Sequence, residues 1–240
     1  MADFILKYYS FLTHLVEFLA AFAGIIYYKK YKASPVKYFI YFLLLVAIFD
    51  TLCYYTHYVR PNKALSFLIG TKFEKNHWLP NIYWSVGAVL FFAFYYYTIL
   101  KTPLLRAIIR FLAFLFFIFS IIYIGLNWDA FFYSFFIGLD VAGAIVVLTC
   151  TIFYFIEILE SDKILHFYKS INFWISVTVF VWWLIITPLT FYDVYYRYEV
   201  GKAHFDMDFL MLRKQIFLFA NIIMYITFTF AFIWCRPKND

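Results

Sequence analysis

The chain has 240 residues, 66% hydrophobic, 27% aromatic and only 14% charged, with a mean hydropathy of +0.81. A soluble domain is nearer half apolar and a quarter charged, and disordered chains lack aromatics, so 34 Phe and 23 Tyr exclude both classes. The net charge of +6 comes from basic residues clustered where apolar runs end, the pattern of membrane flanks rather than of a nucleic-acid-binding face, and no nucleic-acid partner is expected.

Seven segments approach the ~20 apolar residues that a ~30 Å hydrocarbon core requires. They run approximately 8–28, 37–59, 79–100, 104–126, 130–156, 168–192 and 213–235. Runs such as Phe39 to Phe49 and Phe111 to Phe119 are apolar on every face, which excludes the alternation of a barrel strand. The expected fold is therefore all-α: a seven-transmembrane-helix bundle forming one domain over 1–240, in direct contact with the lipid bilayer.

The first segment contains His14 and Glu17 and is read as a retained helix rather than a signal peptide. Lys29-Lys30-Tyr31-Lys32 through Pro35 closes it. Asp50, Tyr54 and His57 in the second segment are spaced i, i+4, i+7, which on a continuous α-helix makes one stripe. After it, Ala64 to Ile69 with Lys72, Glu74 and Lys75 suggests a short interfacial helix. His77, Asn81 and Ser85 open the third segment. Asp140 falls about ten residues into the fifth, where Glu157 can snorkel to water near the far end. Trp182, Trp183, Thr187, Pro188 and Asp193 occupy the matching half of the sixth. Residues 193–212 could cap the bundle, and Asn221 lies about eight residues into the seventh. The basic connections 29–37 and 101–110 favour an N-out, C-in topology.

At a rise of ~1.5 Å per residue, Glu17, Asp50, Asp140 and Asn221 all lie ~12–15 Å below one membrane surface. A carboxylate at that depth is costly unless it is paired, protonated, hydrated or beside a cation. Glu17, Asp50, Asp140, His14, His57, Asn221 and Trp182 are thus the candidates for a polar pocket that takes a proton or a small ligand. The competing reading is interhelical pairing worth ~1 kcal/mol per contact. His14, Glu17, Asp50 and His57 are acceptable zinc ligands by type, a weak signal because no HExxH or HxxxH accompanies them. Ceramidase-like and adiponectin-receptor-like membrane hydrolases carry a late histidine pair that is missing here. Gln215 to Cys235 contains no lysine for a retinal Schiff base, and Cys53, Cys150 and Cys235 form no CxxC pair. No cofactor and no enzymatic activity are expected.

The Phe/Tyr-rich helices resemble those of small uncharacterised bacterial seven-helix membrane proteins, some of which accompany sensor histidine kinases. The similarity includes Asn172-Phe173-Trp174-Ile175 and the ending from Asn221 through Met224-Tyr225 to Phe232-Ile233-Trp234-Cys235. That resemblance implies a receptor-like signalling subunit of the bacterial inner membrane, with a protein partner in the membrane or on its inner face. A small proton- or cation-coupled transporter and a structural or assembly subunit of a membrane complex are the alternatives.

Overall fold

The computed structural model describes residues 2–161, 167–199 and 207–236, the side chains of 2–7, 193–199 and 207–208 excepted. Asp193 and most of the expected 193–212 cap fall outside the described side chains. The described residues form seven helices long and apolar enough to cross a membrane, and the protein is an integral, multi-pass membrane protein. We number them α1 (Ala2–Tyr31), α2 (Val36–Leu52, continued by a 3₁₀ segment Cys53–Tyr58), α3 (Trp78–Ile99), α4 (Pro103–Leu126), α5 (Ile137–Leu159), α6 (Ile171–Glu199) and α7 (Met207–Trp234). Helices are the natural solution because in lipid every backbone amide must find its partner within the segment.

α1 packs most extensively on α7 and next on α2. The ring continues from α7 through α6 and α5 to α3, and α2 meets α3 along a sparser seam. α4 lies outside the ring against α3 and α5, with only 17% of its most apolar window buried. Phe111, Phe114, Leu115, Ile121 and Ile122 form its lipid-facing side. At Gly143 α5 lies close against α3: a Cβ there would come within 2.6 Å of Val89 Cγ2. Such small-residue contacts let membrane helices approach where no hydrophobic force drives them together.

In the half of the bundle at which α1 ends, the axis is packed with large side chains. Tyr31, Phe39, Tyr95, Tyr96 and Phe232 are fully buried there. Their hydroxyls are used locally: Tyr31 donates to the Cys235 carbonyl at 2.9 Å, Tyr95 to Asn172 Oδ1 at 2.5 Å, and Tyr96 to Ser176 Oγ at 3.0 Å. Glu157 does not merely snorkel. Its carboxylate accepts the backbone N–H groups of Lys101 (2.8 Å) and Thr102 (2.9 Å), capping the start of α4 from a neighbouring helix.

Three boundaries depart from the sequence expectation. α2 stops being α-helical at Leu52, six residues before its span ends at Tyr58. α3 winds as a π-helix over Asn81–Ala88. α5 begins at Ile137 rather than near 130, because 127–136 fold into a connector with a 3₁₀ turn at Ala130–Phe132, anchored by the buried Phe131, Phe132 and Phe136. Asn81, with no exposed surface, holds that connector: its amide donates to the carbonyls of Ser134 (2.9 Å) and Phe131 (3.3 Å) and accepts the Phe136 N–H (3.3 Å). The expected interfacial helix at Ala64–Ile69 reduces to a 3₁₀ turn at Ser66–Leu68. Its loop is tied down by Tyr55, which donates to the carbonyls of Phe73 (2.7 Å) and Lys75 (2.8 Å).

Candidate functional site

The polar groups gather in the half of the bundle where α1 begins, which we call the N-terminal face. They form two neighbouring sites instead of the single layer expected from helix counting.

The first is a compact cluster between α1 and α2. One ligand-type atom from each of His14, Glu17 and Asp50 lies within 4.8 Å of the other two. His14 and Glu17 are three apart and share a helix face. Asp50 reaches them from the last α-helical turn of α2. Glu17 is 1% exposed; its carboxyl lies against that of Asp50, and neither of its oxygens has another hydrogen-bond partner. His14 Nδ1 lies 2.7 Å from the Ser10 carbonyl, while its Nε2 is buried and unpartnered. A carbonyl only accepts, so Nδ1 carries the proton in this contact. Asp50 Oδ1 accepts a hydrogen bond from the Tyr83 hydroxyl. Tyr83 is steadied by stacking on Phe49, with ring centroids 5.3 Å apart. Tyr54 packs edge-on against His14 at 4.9 Å and hydrogen-bonds Ser10.

The sequence reasoning missed Tyr83. It is one tyrosine among 23, and the π winding of α3 sets which of its neighbours share a face. His57 was expected in the cluster and is exposed instead. From Cys53 onward the chain winds at three residues per turn, so the i, i+4, i+7 stripe is broken and His57 follows Tyr54 (centroids 5.2 Å apart) rather than Asp50.

The second site is a cavity of about 310 Å³. Five helices contribute to its wall: Tyr9 from α1, Trp84 and Ser85 from α3, Asp140 from α5, Trp182, Trp183 and Thr187 from α6, and Arg213 and Lys214 from α7. Asp140 stands in the first turn of α5 because that helix starts late, and it belongs to this wall, outside the His14–Glu17–Asp50 group. Trp182 and Asn221 are joined to each other, indole Nε1 donating to Oδ1 at 2.8 Å, and Trp182 also meets Trp84 edge-on at 5.4 Å. Asn221 therefore positions a cavity tryptophan and does not itself line the space. Tyr9 links the two sites: it lines the cavity and lies within electrostatic reach of both Arg213 and Asp50.

Chemically, the cavity offers a carboxylate, two cations, hydroxyls and flat indole walls, whereas the cluster offers an imidazole lone pair and two carboxylates. Compared with known proteins, the chain matches no family model, no curated protein and no solved structure.

Proposed function

We propose that this protein is a non-enzymatic sensory subunit of a membrane signalling assembly, and that the cavity at the N-terminal face is its input site. The observation that carries the reading is the contrast between the two halves of the bundle. A cavity of about 310 Å³ with a charged and indole wall occupies one half, while grooves of about 370 Å³ between α2 and α3 and about 160 Å³ between α6 and α7 that reach the other half are largely apolar and flank an axis packed with Tyr31, Phe39, Tyr95, Tyr96 and Phe232. A recess that ends against such packing suits a receptor better than a conduit. Its volume is at the small end of ligand pockets. A wall that carries Asp140, Arg213, Lys214 and the Trp84, Trp182 and Trp183 indoles has the chemistry to take a small aromatic zwitterion.

With the N-terminal face outside, the cavity opens outward and the basic connections 29–37 and 101–110 meet a partner on the inner side. The organism and membrane follow only from the resemblance to bacterial seven-helix proteins. A second reading, a proton- or cation-coupled carrier, is favoured by the two carboxylates of the α1–α2 cluster.

The test uses three molecules with one ring system and different charge: tryptophan, tryptamine and indole-3-acetate. The purified protein is expected to gain thermal stability with tryptophan most strongly, and Asp140→Asn and Trp183→Ala are expected to lose that gain while still folding. If no member of the set stabilises the protein, or both variants respond as the parent does, the cavity is not the input site. Accumulation of the stabilising compound inside proteoliposomes would replace the receptor by the carrier.

A further inference from the structure

We infer that His14, Glu17 and Asp50 form a binding centre for a single divalent transition-metal ion, with zinc the best match, held between α1 and α2. The assignment is independent of the cavity and of what the cavity binds.

Four observations converge. First, the three side chains present one nitrogen and carboxylate oxygens within 4.8 Å of one another. A tetrahedral zinc with bonds of ~2.0–2.2 Å needs ligand atoms roughly 3.3–3.6 Å apart, so the widest pair must close by about 1 Å. Glu17 can make that movement because the Asp50 carboxyl, itself one of the three ligands, is its one hydrogen-bonding neighbour among the described residues.

Second, the histidine is prepared as a ligand. The Nδ1 proton is committed to the Ser10 carbonyl at 2.7 Å, which leaves the lone pair on the buried, unpartnered Nε2. An outer hydrogen bond that fixes the tautomer and ring orientation is the usual support of a metal-binding imidazole. Asp50 has the equivalent support, with the Tyr83 hydroxyl donating to one of its oxygens.

Third, Glu17 is buried with its carboxyl against that of Asp50, and neither of its oxygens meets a donor from any other described residue. In a membrane interior such a group is retained only if something neutralises it. Among the described residues no lysine or arginine forms an ion pair with Glu17 or Asp50. A neutral imidazole and two carboxylates carry a charge of −2, which one divalent ion cancels.

Fourth, the donor set selects the ion. Calcium and magnesium prefer oxygen-only shells, whereas one imidazole with two carboxylates suits zinc and its first-row neighbours. Three protein ligands leave a fourth position on the metal for water or another ligand.

The experiment uses the full-length protein purified in detergent, stripped with chelator and dialysed against zinc. Elemental analysis should return one zinc per chain, removable by EDTA, and cobalt substitution should give the visible absorption of a four-coordinate ion. Zinc should raise the melting temperature of the stripped protein. Glu17→Gln and His14→Ala should each weaken binding at least tenfold, in line with loss of one of three ligands, while His57→Ala, an exposed histidine on the same face of the bundle, should bind as the parent does. Glu17→Gln removes a buried charge at constant shape, so its metal-free form should melt at or above the parent and serve as the folded control. Parent protein that retains no zinc, or Glu17→Gln and His14→Ala variants that retain it fully, would overturn the assignment. Loss of zinc in His57→Ala alone would do so as well, since the ion would then sit elsewhere.

Discussion

Replacing Asn81 by alanine isolates what one buried amide does for the architecture around the cavity. Asn81 makes three hydrogen bonds to the 127–136 connector, one at 2.9 Å and two at 3.3 Å. Net values of ~0.5–1.5 kcal/mol per bond, with the two longer ones near the lower end, sum to about 2–3 kcal/mol. Two carbonyls and an amide are then left at a fully buried position, which raises the cost toward about 4 kcal/mol. For a chain of this length each kcal/mol moves the melting temperature by about 2–4 °C, so the variant should melt about 8–16 °C below the parent. Hydrogen exchange gives the local readout: the Phe136 amide should lose protection, whereas amides of α1 and α7 should keep theirs. The same connector carries Phe135 and leads into Ile137, both on the cavity wall, so affinity for a cavity ligand should fall in parallel. A variant melting within about 1 °C of the parent, with Phe136 exchange unchanged, would refute this account of how α5 is held.

Gly143→Ala should cost about 1–3 kcal/mol, because the new methyl would sit 2.6 Å from a branched Val89 side chain that cannot turn away easily; Val89→Ala in the same background should restore most of the loss in a detergent melt. Glu157→Ala should cost about 1–2 kcal/mol by uncapping the Lys101 and Thr102 amides, and Glu157→Gln, which keeps one acceptor oxygen, should recover part of that stability.

The seven crossings were legible because run length and all-round apolarity leave a polypeptide no other way to satisfy its backbone in oil. The α5 start was not. Ala130 to Phe136 is as apolar as a helix, and hydropathy cannot tell a membrane helix from a partly buried connector whose carbonyls are met by an asparagine on another helix. Counting inward from 130 then placed Asp140 too deep, and the cluster and the cavity merged into one layer. The Glu17–Asp50 pairing survived because both residues lie in unbroken α-helix, where 1.5 Å per residue holds. His57 did not, because the winding changes between it and Asp50. Tyr83, an aromatic among aromatics, carried no sequence signal that separated it from lipid-facing neighbours.

The arrangement of α1 has a consequence for biosynthesis. Its most extensive neighbour is α7, which leaves the ribosome about 200 residues later. Through that interval α1 must reside in the bilayer without the surface it will finally lean on. Asp50 and His14, by contrast, are at hand as soon as the second crossing is made, and Tyr83 follows with the third. The nascent hairpin thus meets its charge problem early, and ring closure by α7, through apolar contacts and the Lys30 and Tyr31 hydrogen bonds to carbonyls at its end, can wait.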